Sequence, residues 1–437
     1  MVAYDYPPVN SAGMYRLVSM TKYLQALRWD ITVVTVRDSF IAMSDGVLSL
    51  IPQETRVIRT KTVEYFRFKR RVVELLRRGQ KSDPAESGLV NGGVSRPVRP
   101  RRAGALFQLF DDLMCFPDTR AGWFFPLLTA VWKLLRKEKF DVVLSSSPPH
   151  SAHLPFLFLK KILAFKWVVD FRDPWTAPNR MTSRKLSRWI HRSMESMVLS
   201  SADIVIANTP GNRLAILDNF SNISADKVHV VTNGFDEDHY TPAANGGAGA
   251  DADLVYTGYL YYPMLPLFLN TLKHIRDSLG EVRVPRTIVF GPRPSDRVLR
   301  EIASSGFEDK IVYRDRVSYA ESVRVMRQAR CLLLLLPVGD EFKTWVPSKL
   351  YAYLFSTRPV LAIVPDGDAA RIVEDTGVGI AIRSADPSVV AEQTVGFLDD
   401  LKAGRIAPEP NTDELQKYSW PALADRLQGI LVHEIES

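Results

Sequence analysis

The sequence predicts an α/β protein built from two doubly wound units, and three observations carry that reading. Short apolar, β-branched runs alternate with longer helical patterns along most of the 437 residues, the pattern of a mostly parallel sheet covered by helices on both faces. The length exceeds what one ordinary core holds. Near the middle, Asn245-Gly246-Gly247-Ala248-Gly249 interrupts the alternation with the composition of a flexible linker.

In the first half, Met1 to Tyr4 reads as a strand, short at its N-terminal end as a translation start a few codons upstream would leave it, and Pro7-Pro8 makes the turn after it. A helix follows with Leu17, Met20, Leu24 and Leu27 on one stripe. Ile31 to Val36 is the next strand, and residues 79–103, rich in Gly, Pro, Ser and Arg, read as a long mobile loop. Further strands are expected at Asp141–Ser145, Trp167–Asp170, Ile204–Ala207 and Val228–Val231.

The second unit is expected to carry strands at Leu254–Tyr256, Thr287–Phe290, Ile311–Tyr313, Leu332–Leu336 and Val360–Ile363. Ser318 and Glu321 form a capping box, Pro347 suits the first residue of a helix running to about Phe355, and Gly377 fits a helix C-cap. The chain ends in a helix over about Pro421 to His433. The domain plan is therefore 1–238, a linker at 239–252, a second domain at 253–410 and a C-terminal segment at 411–437. In such open sheets the ligand lies outside the carboxyl ends of the strands.

Composition narrows the function classes. Cys115 and Cys331 cannot make a disulfide scaffold and fit a reducing compartment. No apolar run reaches the roughly 20 residues that span a bilayer, and no signal peptide is evident, so a cytoplasmic protein is expected. Charge is uneven: residues 1–235 carry a net +14 and residues 236–437 a net −7. Fourteen basic residues and four acids lie between Arg56 and Arg102. Such a field attracts an anionic membrane surface or a lipid phosphate. Nucleic acid is set aside, because there is no RNA-binding aromatic signature or recognition helix.

Several strand ends gather polar groups. Tyr6 to Gly13 joins the first strand to the first helix, where small residues let backbone approach a ligand, without the spacing of a dinucleotide fingerprint or a P-loop. Ser145 to His153 brings hydroxyls, prolines, His150 and His153 to one strand end, with no third ligand for zinc. Asp170-Phe171-Arg172-Asp173-Pro174-Trp175 offers carboxylates for hydroxyls and a guanidinium for phosphate, or a structural Arg–Asp pair. Asp251-Ala252-Asp253 looks like a metal-binding pair but precedes its strand instead of ending it. Pro347-Ser348-Lys349 sets an ammonium at the start of a helix, where a diphosphate is neutralised.

Taken in order, these segments resemble the retaining GT-B-fold glycosyltransferases of the family 4 (group 1) type over nearly the whole chain. The pieces are Tyr6-Pro7-Pro8 to Gly13 with Arg16, Pro117-Asp118 to Trp123, Ser146 to His150, Asp170 to Trp175, Ala202-Asp203, and Thr232 to Asp236. They continue through Tyr256-Thr257-Gly258-Tyr259-Leu260, Pro347 to Leu354, Arg358 to Ala362 and Tyr418-Ser419-Trp420.

The resemblance implies two Rossmann-like domains facing across a cleft, with the final helix crossing back to the first. It implies a nucleotide-sugar donor on the C-terminal domain, a glycan, lipid-linked or other glycoconjugate acceptor on the N-terminal one, and retention without metal or other cofactor. A place on the inner face of the cell membrane and a part in polysaccharide or cell-envelope synthesis follow from the same reading. Candidate catalytic residues are Asp173, Arg172 and His150. Gly13, Gly258, Tyr259, Glu341, Pro347, Ser348, Lys349 and Leu350 are candidates for the donor, and Asn10, Ser11, Arg16 and His153 for the acceptor.

The sequence departs from the family pattern in four places. Ala352 stands where a ribose-binding glutamate is usual, Thr344 where its partner is, Tyr259 where an arginine is, and Arg172 where a histidine often ends the fourth strand. Glu341 is near enough in sequence to substitute. These departures sustain an alternative, a catalytically silent sugar-binding or assembly subunit, and a more remote one, a sugar-nucleotide epimerase of the same fold.

Overall fold

The computed structural model describes residues 1–37, 43–62, 116–176, 185–236, 252–406 and 409–436. The expected loop at 79–103, most of the basic run from Arg56 to Arg102, the linker at 239–252 up to Asp251, and Cys115 lie outside the described residues. The chain divides into two compact units, one of Met1–Asn208, Asn212–Val231 and Ala424–Ser437, the other of Thr209–Gly211 and Thr232–Leu423.

The first unit is a seven-stranded parallel sheet in the order β3-β2-β1-β4-β5-β6-β7. Its strands are β1 (Val2–Ala3), β2 (Thr32–Val36), β3 (Arg56–Thr60), β4 (Val142–Ser147), β5 (Lys166–Phe171), β6 (Ile204–Ala207) and β7 (Val228–Val230). Helix α1 (Ala12–Ala26) follows β1, and α2 (Phe124–Lys137) and α3 (Leu154–Leu159) flank β4. Helices α4 (Lys185–Ser201) and α5 (Pro210–Asn219) flank β6. The central strands are apolar on both faces because helices cover both: Val168, Val169, Val205 and Ile206 are fully buried. Strand β3, not expected from the sequence, occupies the edge, where its two arginines remain partly solvated.

The second unit is a six-stranded parallel sheet in the order β10-β9-β8-β11-β12-β13. Its strands are β8 (Leu254–Thr257), β9 (Thr287–Phe290), β10 (Ile311–Arg314), β11 (Leu332–Leu335), β12 (Val360–Ile363) and β13 (Gly379–Ile382). The helices are α6 (Leu265–His274), α7 (Asp296–Ser305), α8 (Tyr319–Gln328), α9 (Ser348–Leu354), α10 (Asp368–Asp375), α11 (Pro387–Lys402), α12 (Thr412–Gln416) and α13 (Trp420–Glu436), the last counted from Ala424 onwards with the first unit. There Trp29 Nε1 donates to Gln428 at 3.1 Å and Lys166 pairs with Glu434 at 3.0 Å.

Local signals were largely met, with instructive differences. Ser318 caps α8 by accepting from Glu321 N. Glu321 turns outward to Arg324 instead of completing the box, since the ion pair one helical turn on competes for its carboxylate. Pro347 is the N-cap of α9, one residue before the position expected. Gly377, at φ +64°, ends α10 as a left-handed cap that a side chain would strain. Asp253 accepts from Arg286 N at 3.0 Å and pairs with Arg330 and Lys402, which makes it a structural carboxylate.

Candidate active site

Each unit gathers polar groups at the carboxyl ends of its strands. In the first unit, the Ser145-Ser146-Ser147 end of β4 is too polar for a core unless every hydroxyl finds a partner. Ser146 Oγ donates to Asp170 Oδ2 at 2.7 Å, and Ser145 Oγ accepts from Trp167 Nε1 at 2.9 Å and lies 2.8 Å from His153 Nδ1. Burial drives the His153 pKa down to about 3, so the ring is neutral. Asp170 accepts from Arg16 Nε at 3.2 Å and Nη2 at 2.7 Å, and Arg16 also donates to the Val231 carbonyl. Burial alone would raise the Asp170 pKa; the charge and hydrogen bonds of Arg16, with Ser146 and Arg172, overcome it and hold the carboxyl below its usual range.

Arg16 and His153, expected at the acceptor, are buried within the first unit. A cation paired by two hydrogen bonds to a buried carboxylate, and an imidazole kept neutral, are how a core tolerates polar groups. Ser11 caps α1 through Met14 N at 3.2 Å. Asn10 precedes it, half-buried.

Arg172, just past β5, is the organising cation of this edge. Its Nε donates to the Ser147 carbonyl at 3.0 Å, and its Nη2 to the Pro148 carbonyl at 2.8 Å and to Asp5 Oδ2 at 3.1 Å. A Cβ added to Gly13 would fall 1.4 Å from Arg172 Nη1, so only glycine lets the first turn of α1 lie against the guanidinium. Arg120 shares Asp5 at 3.6 Å and covers the Tyr4 ring. Two guanidiniums thus share one carboxylate, with Asp118 accepting from Arg120 N at 2.9 Å and Ser151 N at 2.8 Å close by.

Beside Arg172, His150 stacks on Trp175 at 5.0 Å with 6° between planes. Trp175 is pinned in turn: its backbone N–H donates to Glu195 Oε1 at 3.3 Å and its indole N–H to His191 Nδ1 at 2.9 Å. Burial pushes the Glu195 carboxyl up to about 7 against the hydrogen bonds it receives from Thr176 and Trp175. Arg172, Asp173 and Trp175 lie on one loop, with Asp173 half-buried between its neighbours and His150 stacked over the indole. Sequence reasoning missed Asp5, Arg120 and Glu195, though Arg120 lies inside the Pro117-to-Trp123 segment and Asp5 directly precedes the Tyr6-to-Gly13 turn.

In the second unit, β8 is followed by Gly258 with φ +105°, a conformation that favours glycine. Gly258 N donates to Phe290 O at 2.7 Å, and a Cβ on Gly291 would fall 2.2 Å from Gly258 O, so the ends of β8 and β9 close on each other. Lys349 in α9 reaches this turn. Its Nζ lies 3.5 Å from the centre of the Tyr256 ring, and a Cβ on Gly258 would come within 3.1 Å of it. Burial lowers the Lys349 pKa well below its ordinary value, with no carboxylate to offset it.

The other donor candidates are distributed as follows. Tyr259 is half-buried, edge-on to Tyr261, and its carbonyl accepts from Tyr256 Oη at 3.0 Å. Pro347 and Ser348 open α9, Ser348 exposed. Leu350 is fully buried in the core of the second unit, so only its backbone is available, because the helical period turns it inward. Glu341 is exposed and folded back on Gly339, where an added Cβ would fall 2.7 Å from Oε2. Gly13 belongs to the first unit, against Arg172. Among the described residues no cluster of three or more His, Cys, Asp or Glu could hold a metal.

Two Rossmann-like units of parallel strands with polar strand ends are the GT-B design of glycosyltransferases. Sucrose-phosphate synthase of Thermosynechococcus elongatus superposes with a TM-score of 0.62 at 13% identity, covering 99% of this chain and 97% of that one. HepE of Anabaena, in complex with UDP-glucose, gives 0.62 at 12% identity, covering 99% of both chains. The profile of the glycosyl transferase 4-like domain matches residues 15–234, and the chain belongs to that family. Among curated proteins, the probable glycosyltransferase WbjE of Pseudomonas aeruginosa is 22% identical over 294 residues, which is 65% of this chain and 72% of that protein. The protein is a glycosyltransferase.

Proposed function

We infer that this glycosyltransferase takes its sugar from a nucleotide-sugar whose diphosphate is held by Lys349 beside Gly258, and passes it to a glycan or lipid-linked acceptor with retention and without metal. The observation that carries the reading is Lys349: a half-buried amine with no carboxylate partner among the described residues, held over the Tyr256 ring beside the Gly258 turn at the end of a strand. Charge builds on the leaving diphosphate as the glycosidic bond breaks, and a preset cation stabilises it most in the transition state. The solved relative with UDP-glucose makes a uridine donor the first to test.

The mixed cations and carboxylates of the first unit's edge, with Arg172 and Arg120 around Asp5, suit an acceptor carrying phosphate or many hydroxyls. His150 and Asp173 beside it are the groups available to orient the acceptor hydroxyl. Its proton passes to the departing phosphate in a same-face reaction, so no protein base is required. No described helix is long and apolar enough to cross a membrane. The basic first half supports a peripheral place on an anionic leaflet.

The experiment is turnover of UDP-, GDP-, ADP-, dTDP- and CMP-sugars in EDTA, following nucleotide release and the anomeric signal of the freed sugar by proton NMR. Release of the donor's own anomer with one nucleotide class supports the reading. Release of the opposite anomer would overturn retention, and release only on adding a divalent cation would overturn metal independence. Silence with every donor would favour the sugar-binding subunit suggested by Thr344, Ala352 and Tyr259.

A further inference from the structure

Helix α2 is amphipathic in an unusual way. It buries Leu127 and Val131 against the sheet and turns Phe125, Thr129, Trp132, Lys133, Arg136 and Lys137 to solvent. Phe125 is 73% exposed. Helix α3 and the turn after it add Phe158 at 56%, Ile162 at 66% and the exposed Lys161. These are not scattered singles. The Phe124 ring sits edge-on to Phe125 at 5.0 Å and to Phe158 at 5.9 Å, which joins the two helices in one aromatic ridge.

The charge carried by these two segments has one sign, with Lys160 paired to Asp203 from a neighbouring turn. Neither 124–137 nor 154–164 contains a carboxylate. The acids that follow α2 are Glu138, paired with Arg56 at 2.6 Å, and Asp141 in the turn before β4. Exposed aromatics with flanking cations and no anions are the composition of a surface that rests at the lipid headgroup boundary. A symmetric contact between two copies would set Lys133, Arg136 and Lys137 of one chain against the same residues of the other, which like-charge repulsion opposes.

The ridge also begins at the site. Trp123, directly before α2, packs edge-on to Tyr4 at 5.3 Å just beyond β1, and Arg120 three residues earlier pairs with Asp5. We propose that the α2–α3 face, anchored by Phe125, Phe158 and Ile162 and steered by Lys133 and Lys161, seats the first unit on an anionic lipid bilayer. The membrane contact stands on this face alone. That the acceptor is lipid-linked, so that its head group arrives at the Arg172 edge, rests on the transferase reading.

The test is co-sedimentation of the full chain with vesicles of phosphatidylcholine, with and without phosphatidylglycerol. Wild type is expected to bind the anionic vesicles in a salt-sensitive manner. Phe125→Ser with Phe158→Ser should weaken binding by about tenfold or more, with circular dichroism and nucleotide binding retained. Lys133→Glu with Lys161→Glu should remove most of the preference for phosphatidylglycerol. Failure of wild type to bind, or equal binding by the Ser variant, would overturn the proposal. So would a dimer in light scattering that the Ser variant dissolves without a change in vesicle binding. Binding is read without sugar transfer, so its failure is separate from failure of the transferase reading.

Discussion

The Lys349 amine lies 3.5 Å from the centre of the Tyr256 ring, half-buried, with no carboxylate within 4 Å among the described residues. A cation–π contact offsets only part of the desolvation such a cation suffers. The pair is poised for an anion that the protein itself does not supply.

Proton uptake is the first consequence. A diphosphate beside Lys349 restores the charge that burial disfavours, so nucleotide binding above the lowered pKa takes up to about one proton per chain. Calorimetry in two buffers of different ionisation enthalpy reads it directly, and Lys349→Met should abolish it. The sign for stability runs the other way. The unfolded lysine holds a proton the folded one sheds, so the free protein gains stability as pH rises through the folded value of Lys349.

Gly13→Ala should uncouple Arg172 from Asp5, because the new methyl and Arg172 Nη1 cannot share the same space. The guanidinium must swing away and forfeit hydrogen bonds to Asp5 and to the Ser147 and Pro148 carbonyls. Transfer should fall by about tenfold to a hundredfold, since charged hydrogen bonds are worth roughly 1.5–3 kcal/mol. Nucleotide binding should hold, and measuring both on one preparation tests the division of labour.

Glu195 predicts a pH slope. Its folded pKa of about 7 stands above the ordinary 4.5, so the folded state keeps a proton the unfolded chain has lost. That favours folding fully below pH 4.5 and fades as pH rises through 7, a difference of the order of 3 kcal/mol. Glu195→Gln should remove that slope in urea titrations between pH 5 and 8. It should also disturb the Trp175 near-ultraviolet dichroism, because the amide cannot accept all the bonds the carboxylate does.

Arg16→Met should act on folding. It leaves Asp170 buried with Ser146 as its remaining close donor, and breaking a buried pair from one side destabilises by about 3–5 kcal/mol. A lower urea midpoint for the first unit is the expected result. Normal stability with weakened acceptor binding would point to a ligand role instead.

Most of the fold was legible, because burial on both faces leaves an apolar trace in the chain. Ile204–Ala207, Thr287–Phe290 and Val360–Ile363 are strands over the residues expected. Strand β3 was not, since an edge strand keeps its arginines and reads as part of a basic run. Strand β13 opens on Gly379, which periodicity counts against a strand. Glycine is needed there because a Cβ would meet the Val360 carbonyl at 1.9 Å.

The site was legible in its local pieces and hidden in its long-range ones. Lys349 and Gly258 stood out by their turn and helix positions, but nothing in the sequence joins them. Asp5 and Arg172 meet across 167 positions. Glu195 looks like one more polar residue on a helix until the Trp175 loop folds over it. Arg16, in the first helix, and His153, in the turn after β4, are buried in the first unit, which their polar character alone does not foretell.

The most direct test of the account is the thermal stability of wild type and Lys349→Ala across UDP, GDP, ADP, dTDP and CMP and their sugars. Binding at about a hundred times the dissociation constant adds roughly 2.7 kcal/mol to the folded state. The account predicts a clear rise for wild type with one nucleotide class, and loss of that rise in a variant whose ligand-free stability is equal or higher. An undiminished rise in Lys349→Ala would contradict it.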